Sequence, residues 1–358
     1  MGGASGGSAG DGGATGGSAG DGAAGGGGHA VTKKWYPGHY IYVSLDKNFD
    51  SVMDESKRTI VKDNPNFTGY HNRYSWAALE NAKDEYDFSL IEADLETARS
   101  DGKKLIVHVH DRNHQGTDRL PVPEYLTTDP VYAGGVYVAE DTAAGNQKLM
   151  PKIWNAGYAE RLGALLRALG EAFDDDTALA YVCLEETALP GAKEQPDFTA
   201  DGLRDGYLTI HAAAGEGLPR TLFSQYVNWG GGLSREGADD VMDHLVHTVK
   251  GGFGAPDFLN AEHDGVTPTS VLDNWFGEYF EQYKGVAAIT ASSQMPSFQI
   301  NSAQTVFDYI VDARGASFAT WLPVRSDDLA WDIDDLVAVV DAENGRINAT
   351  LPTNLLAP

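Results

Sequence analysis

Short strand-like segments and helical segments alternate along the chain, and this alternation constrains the fold more than any other feature of the sequence. The strand-like segments are rich in Val, Ile, Tyr and Phe, and they cover residues 39–45, 67–74, 104–110, 179–185, 220–227, 251–258, 286–291 and 316–322. Apolar residues recur at helical spacing in the segments 89–100, 158–173, 200–214, 238–249, 270–283, 303–313 and 333–342. About eight such units in about 310 residues predict a parallel sheet with right-handed crossovers, closed into one (β/α)8 TIM barrel with long βα loops.

An open, doubly wound sheet is the alternative arrangement for alternating strands and helices. Such a sheet usually carries a glycine-rich phosphate loop or a dinucleotide fingerprint after a strand. Gly230, Gly231 and Gly232 follow the fifth strand-like segment, but no Lys-Ser or Lys-Thr pair comes after them. We therefore expect a single barrel domain over residues 31–358, preceded by a linker over residues 1–30.

The linker is a low-complexity tail that contains Gly, Ser, Ala, Thr and Asp. Its residues 6–11 read Gly-Gly-Ser-Ala-Gly-Asp, and residues 16–21 repeat them. A tail of this composition buries too little apolar surface to offset chain entropy, so we expect it to be disordered. Such linkers resemble those of exported bacterial proteins, lipoproteins above all, and we expect an exported protein whose signal lies outside this sequence. An intracellular protein with a disordered tail is the alternative.

The charge balance narrows the choice of partners. The chain has 26 Lys and Arg against 52 Asp and Glu, a net charge of −26. A field of that sign repels phosphate backbones and anionic lipid, which argues against nucleic-acid and membrane-surface binding. No apolar run approaches the length of a membrane helix. Cys183 is the one cysteine, so an internal disulfide and a cysteine-based zinc site are excluded. We also expect that the protein needs no cofactor and is a monomer.

Polar, acidic and aromatic side chains gather where the apolar strands end. They are Tyr70, His71 and Arg73 after the second strand; His108, His110 and Asp111 after the third; Glu185 and Glu186 after the fourth; Tyr226, Asn228 and Trp229 after the fifth; Asp257 after the sixth; Gln294 after the seventh; and Trp321 on the eighth. The active site of a TIM barrel lies at the carboxyl ends of its strands. We therefore expect these side chains to line a common site.

Carboxylates together with aromatic side chains indicate carbohydrate chemistry. Glycoside cleavage needs one protonated acid for the leaving oxygen and a second carboxylate that acts as nucleophile or activates water. Trp and Tyr rings pack on the apolar faces of sugars, while His, Asn and Arg hydrogen-bond the hydroxyls. The sequence thus predicts a glycosidase acting on a poly- or oligosaccharide.

Two short stretches resemble barrel glycoside hydrolases of clan A. The run Tyr74-Ser75-Trp76, Leu79-Glu80 and Tyr86-Asp87-Phe88 is similar to the segment that leads into the second helix of those enzymes. The run 184–189, Leu-Glu-Glu-Thr-Ala-Leu, looks like their fourth strand end, which usually reads Asn-Glu. The resemblance implies that Glu186 is the general acid/base, that Glu185 takes the Asn place, and that Trp321 forms the floor of a sugar subsite.

The seventh strand departs from the clan A pattern. The clan carries its nucleophilic Glu at that strand end, whereas this chain has Ser292, Ser293 and Gln294. An amide cannot replace a carboxylate nucleophile, so the second carboxylate must come from elsewhere. Asp257 is the first candidate, and Glu185 and Glu262 are the others. An inverting mechanism is then as plausible as a retaining one.

Two other functions remain open from the sequence. The missing acid on the seventh strand fits a non-catalytic carbohydrate-binding barrel on the cell surface. His108 and His110 alternate onto one face of the third strand, and with His71 or Asp111 they could bind a metal ion. A metal-dependent hydrolase is therefore the third alternative.

Overall fold

Eight parallel strands close into a barrel in this computed structural model, as the alternation predicts. The structure describes residues 33–45, 49–114, 116–141, 146–228, 231–255, 277–293, 298 and 302–356. The barrel strands are β1 (Gly38–Tyr42), β2 (Phe67–Ser75), β5 (Lys104–His110), β8 (Leu179–Leu184), β9 (Leu222–Tyr226), β10 (Gly252–Ala255), β11 (Ile289–Ser292) and β12 (Phe318–Trp321). Each strand pairs with the next in that order, and β12 pairs with β1 to close the barrel.

Helices connect the strands on the outside of the barrel. They are α1 (Glu55–Val61), α2 (Trp76–Leu79), α3 (Ser89–Ser100), α4 (Tyr125–Thr128), α5 (Ala156–Phe173), α6 (Ala200–Gly217), α7 (Arg235–Asp243), α8 (Gly277–Gln282), α9 (Ala303–Asp308) and α10 (Ile333–Ala342). Helices α7 and α9 each continue into a π-helical turn, at His244–Thr248 and Tyr309–Ala313. The periodicity predicts α3 and α10 with the bounds that the structure has, but it gives no indication of α1.

Two short hairpins lie in the segments that follow the barrel strands β2 and β5. Strands β3 (Glu80–Ala82) and β4 (Glu85–Tyr86) pair after α2, and β6 (Val136–Asp141) pairs with β7 (Asn146–Pro151) in the long segment after β5. The segment 111–157, predicted as a long loop, thus carries secondary structure of its own. An isolated bridge between Asn113 and Leu149 ties the hairpin to the carboxyl end of β5.

Two apolar layers hold the barrel together. The larger one lies between the strands and the surrounding helices. The smaller one fills the interior at the amino-terminal end of the strands, and it consists of Tyr40, Ile106, Ala180, Tyr181, Cys183, Leu222, Ala288, Phe318 and Leu355. Cys183 is a free, buried thiol. The apolar plug closes one end of the barrel, and His71, His108 and Glu185 meet in the interior above it.

The close pairing of β10 and β11 explains why residue 254 is a glycine. A side chain at Gly254 in β10 would place its Cβ 1.5 Å from the carbonyl oxygen of Thr290 in β11. No residue larger than glycine fits there without moving the strand.

The described helices include none long and apolar enough to cross a bilayer.

Candidate active site

Polar side chains from different strands meet in the barrel interior above the apolar plug. His71 contacts Thr320 across the barrel, Tyr42 contacts Ser292, and the rings of His108 and Tyr226 lie 5.3 Å apart. None of these contacts joins two strands that pair with each other, so each must cross the interior. Side chains alternate along a strand, and the phase found here turns the odd-numbered residues of β2 and the even-numbered residues of β5 inward.

Glu185 is the centre of this group. It directly follows β8, and only 5 % of it is exposed. Its Oε1 contacts His110 Nδ1 and lies 3.2 Å from His108 Nε2. His114, on the loop after β5, brings its Nε2 to 4.0 Å from Oε2. The side-chain amide of Gln225 donates to the backbone carbonyl of Glu185 and fixes the chain at this point.

Burial and neighbouring charges act on this group in opposite directions. Burial alone would raise the pKa of the Glu185 carboxyl, but His110 and His108 beside it outweigh burial and hold that pKa well below its usual range. Burial lowers the pKa of His110 to about 4, although the Glu185 carboxylate opposes this. At neutral pH the site therefore contains an ionised carboxylate among neutral imidazole rings.

His71 contacts His108 inside the barrel and supports its ring. His71 Nε2 lies 3.1 Å from His108 Nδ1, and His71 Nδ1 lies 3.2 Å from Thr320 Oγ1. Both nitrogens of His71 thus have partners inside the barrel. The ring of Tyr42 packs against His71 at a centroid distance of 4.1 Å. His71 and Thr320 therefore fix the orientation of the His108 ring.

Glu186 lies in a different environment from its neighbour Glu185. It is half-buried, and its Oε2 accepts a hydrogen bond of 2.7 Å from the side-chain amide of Asn228. Arg112 holds the backbone at this point, because it donates to the carbonyl oxygens of Glu186 and Ala188 at 2.7 and 3.1 Å. The two carboxylates therefore differ in solvent access, as the alternation of side chains along a strand leads one to expect.

The predicted residue Asp111 contributes to the site indirectly. It is buried, and its Oδ1 accepts a hydrogen bond of 2.9 Å from Arg112 Nε. The charge of Asp111 thus balances the arginine that fixes the backbone of Glu186. This arrangement gives Asp111 a positioning role in place of the sugar contact that the sequence predicts.

Arg73 forms part of the wall with two aromatic rings. Its guanidinium lies over the rings of Tyr42 and Phe49, at 4.6 and 5.4 Å from their centroids. Phe49 also packs edge-on against His110 at 4.4 Å. The guanidinium and these rings form a surface of mixed polarity beside Glu185, which suits the apolar faces and hydroxyl edges of a sugar.

Two residues predicted to bind sugar lie outside this group. Tyr70 faces the outer helices, where its hydroxyl donates to Asp101 at 2.9 Å. Trp321 is fully buried, and its indole N–H donates to His39 Nδ1 at 3.1 Å. Each follows or precedes an inward-facing residue on its strand, so alternation turns it outward. The structure gives both residues packing roles in place of the predicted sugar contacts.

Three further predicted site residues lie outside the described part of the chain. They are Asp257, Trp229 and Gln294, and Glu262, another candidate for the second carboxylate, lies there too. The remaining predicted residues come together, namely His71, Arg73, His108, His110, Glu185, Glu186, Tyr226 and Asn228.

Sequence reasoning missed several residues that complete the group. They are Tyr42, Phe49, Arg112, His114 and Thr320. Tyr42 and Thr320 carry a signal that could have found them, because each is a polar residue within a predicted strand, at residues 39–45 and 316–322. Arg112 and His114 continue the polar run after β5, but nothing in the sequence indicates that Arg112 reaches the backbone of the neighbouring strand.

Some of these side chains have the identity and spacing of metal ligands. Within the described ranges, His108, His110 and Glu185 place potential ligand atoms within 4.8 Å of one another. The same holds for His114, Glu185 and Glu186, and for His71, His108 and Cys183.

Comparison with known proteins gives no relative at the level of sequence. No family model matches the chain, and no curated protein is significantly similar to it. Solved structures do resemble its fold. An endo-glycoceramidase II from a Rhodococcus species, solved with a five-membered iminocyclitol, is 13% identical with a TM-score of 0.50, and the match covers 88% of this chain and 80% of that chain.

Two other glycoside hydrolases resemble the chain in the same way. The beta-galactosidase from the psychrophilic Marinomonas ef1 is 10% identical with a TM-score of 0.51, covering 87% of this chain and 61% of the enzyme. A psychrophilic family 10 endo-beta-1,4-xylanase is 12% identical with a TM-score of 0.46, covering 80% and 85% of the two chains. The endo-glycoceramidase and the beta-galactosidase confirm the predicted resemblance to barrel glycoside hydrolases for the fold. At these identities, the likeness extends no further than the fold.

Proposed function

We propose that the chain is a glycoside hydrolase in which Glu186 is the general acid. The observation that carries this proposal is the position of Glu186 at the carboxyl end of the fourth barrel strand, half-buried and hydrogen-bonded to Asn228 at 2.7 Å. In a TIM barrel this end of the strands is where the chemistry takes place. Glycosidases of similar fold support the proposal, because the same barrel serves sugar cleavage in them.

Glu186 has the access and the support that a general acid needs. Its side chain reaches solvent at the barrel mouth, so a glycosidic oxygen can approach it, whereas Glu185 is almost closed off. Asn228 fixes one carboxyl oxygen, and Arg112 fixes the backbone carbonyl of the same residue. A positioned acid of this kind typically contributes 10²–10⁴-fold to the rate.

The sequence offers three candidates for the second carboxylate, Asp257, Glu185 and Glu262, and the spacing of the site argues against Glu185. Glu185 and Glu186 are neighbours in the chain, and ligand atoms of their carboxylates lie within 4.8 Å of each other. The two acids of a glycosidase must flank the scissile bond. Two adjacent residues of one strand leave no room for a sugar ring between them. We assign the second role to Asp257, the first candidate from the sequence, which comes two residues after β10.

The strand before Asp257 also supports this assignment. Strand β10 is separated from β8 by only β9 in the barrel, and the carboxyl ends of these parallel strands lie at the same mouth. The separation of the Glu186 and Asp257 carboxyls decides the stereochemical outcome. A spacing of about 5–5.5 Å gives retention, and about 6.5–9.5 Å gives inversion.

Arg73, Tyr42 and Phe49 supply the sugar-binding wall in this proposal. The net charge of −26 favours a neutral carbohydrate over a polyanionic one, because like charges repel at the barrel mouth. Trp229 and Gln294 stay proposed sugar contacts. We also propose that the enzyme works outside the cytoplasm, which the glycine-rich repeat of the tail supports.

The test is an assay of hydrolysis on a panel of neutral plant, algal and microbial polysaccharides. The measured quantity is the release of reducing ends. Glu186→Gln preserves the shape of the side chain and its contact with Asn228, yet it cannot donate the acid proton. We expect release by the wild type and a loss of at least about 10²-fold in the variant. Glu171→Gln, an exposed change on the outer helix α5, is the matched control and should retain full activity.

Two outcomes would contradict the proposal. Full activity of Glu186→Gln would remove Glu186 from the role of general acid. Binding of an oligosaccharide without any cleavage product, detected by glycan-array binding and product analysis, would favour the alternative of a non-catalytic carbohydrate-binding barrel.

A further inference from the structure

The buried group around Glu185 has a feature that sugar cleavage by Glu186 does not require. His108 Nε2, His110 Nδ1 and the Glu185 carboxylate converge on one point of the barrel interior, with all their ligand atoms within 4.8 Å. Two of these residues come from β5 and the third directly follows β8. We propose that His108, His110 and Glu185 bind a single divalent transition-metal ion, with Zn²⁺ as the best match.

The distances fit the size of a zinc site. Zinc binds histidine nitrogen and carboxylate oxygen at about 2.0–2.2 Å in tetrahedral geometry, which puts neighbouring ligand atoms about 3.3–3.6 Å apart. His108 Nε2 and Glu185 Oε1 are separated by 3.2 Å. His110 Nδ1 contacts the same oxygen, so only a small outward movement of that ring is needed to admit the ion.

His108 provides an independent observation. Its side chain is fully buried, yet within the described part of the chain Nε2 has no hydrogen bond. The Glu185 oxygen at 3.2 Å is an ion-pair contact. A buried ring nitrogen without a partner costs about 1–3 kcal/mol. A metal ion between His108 and Glu185 would give this nitrogen the partner that it lacks.

The surroundings of the three residues resemble the outer shell of a metal site. Metal-binding histidines usually donate their other ring N–H to a neighbouring acceptor, which fixes the ring. His108 Nδ1 lies 3.1 Å from His71 Nε2, and His71 is held in turn by Thr320. His71 therefore belongs to the outer shell. This differs from the sequence-based alternative, in which His71 is itself a ligand.

The chemical types of the three ligands favour a transition-metal ion. Two imidazoles and one carboxylate suit Zn²⁺ and related transition metals, whereas Mg²⁺ and Ca²⁺ prefer sites built from oxygen. His108, His110 and Glu185 leave a fourth position toward the mouth. His114 lies on that side, with its Nε2 4.0 Å from Glu185 Oε2, and it is placed to complete the coordination.

Metal binding goes beyond the proposed glycosidase activity and does not depend on it. A metal ion on Glu185 would exclude that residue as the second catalytic carboxylate, in agreement with the assignment of Asp257. The ion can be measured without any sugar, so a negative result in one experiment leaves the other unaffected.

The test is a titration of the metal-depleted full chain with Zn²⁺, followed by calorimetry against a competing chelator. We expect one equivalent to bind to the wild type. Loss of an outer-shell partner typically weakens metal binding by about 10–100-fold, so we expect His71→Asn to fall in that range. Glu185→Gln and His110→Gln remove ligands and should weaken binding by more than about 100-fold.

His247→Gln is the matched control for adventitious binding, because His247 is exposed and lies 3.6 Å from the Asp243 carboxylate. It should leave the stoichiometry and affinity unchanged. X-ray absorption of the zinc-loaded wild type provides a readout that needs no variant, and we expect two imidazoles with oxygen or nitrogen completing the shell. Absence of stoichiometric binding, a sulfur ligand from Cys183, or unchanged affinity in Glu185→Gln and His110→Gln would overturn the proposal.

Discussion

His39 offers a quantitative test of the packing role assigned to Trp321. It lies on β1, beside the strand that closes the barrel, and it is fully buried. Its Nδ1 accepts the indole N–H of Trp321 at 3.1 Å, and its Nε2 lies 3.1 Å from the carbonyl oxygen of Arg346. The ring is therefore neutral, with its proton on Nε2. Protonation of Nδ1 would break the contact with Trp321.

The expected magnitude follows from the pKa of this ring. Burial lowers the pKa of His39 from 6.5 to about 4. Between these two values the unfolded chain binds more protons than the folded one, so the free energy of unfolding falls as the pH falls. The contribution of His39 is complete above pH 6.5. It decreases by about 2 kcal/mol at about pH 5 and by about 3 kcal/mol at about pH 4.

The assay is urea unfolding of the wild type and of His39→Gln at about pH 7.5 and about pH 5. Glutamine does not titrate, so the variant should lose about 2 kcal/mol less than the wild type over this interval. His247→Gln removes an exposed histidine and should keep the wild-type dependence. An equal loss in wild type and His39→Gln would refute the reasoning, and with it the neutral ring buried against Trp321.

Three further changes test the fold and the support of the site. Gly254→Ala should destabilise the barrel by about 3 kcal/mol or more in thermal melts, because its Cβ would meet a backbone carbonyl at 1.5 Å. Gly215→Ala in α6 is the control, since its Cβ meets nothing closer than 3.5 Å. It should be neutral or stabilising in the same melts. Glu80→Ala should cost about 2–4 kcal/mol in urea unfolding, because Arg161 loses its buried carboxylate partner and keeps only the exposed one at Asp84, and the indole N–H of Trp76 loses its acceptor. Arg112→Lys keeps the charge but replaces two donor nitrogens, Nε to Asp111 and Nη1 to the carbonyl oxygens of Glu186 and Ala188, with a single ammonium group. Steady-state kinetics should show kcat reduced by about 10–100-fold.

The barrel could be predicted from the sequence because its signals are local. All eight strand-like segments become barrel strands, and even the glycine-rich sixth segment forms one. The hairpin β6–β7 was missed, since its pairing joins residues within a segment whose prolines and polar residues indicate a loop. Helix α1 was missed because only seven residues form it, too few to show a clear period.

The site was predicted less completely because alternation gives two faces without saying which one faces inward. Tyr70 and His71 are neighbours, and so are Thr320 and Trp321, yet only one of each pair faces the interior. A shift of one residue reverses every side chain of a strand. The polar members, His71 and Thr320, mark the inner face near the mouth. Large aromatic residues such as Trp321 are needed outside, where the strands pack against helices.

The most direct test of the central claim is the dependence of the Glu186→Gln defect on the leaving group. It compares kcat/KM for the natural linkage with that for a dinitrophenyl glycoside of the same sugar, whose leaving group departs without a proton. If Glu186 is the general acid, the variant should lose about 10²–10⁴-fold on the natural linkage and less than about 10-fold on the activated glycoside. An equal loss on both substrates would contradict the assignment.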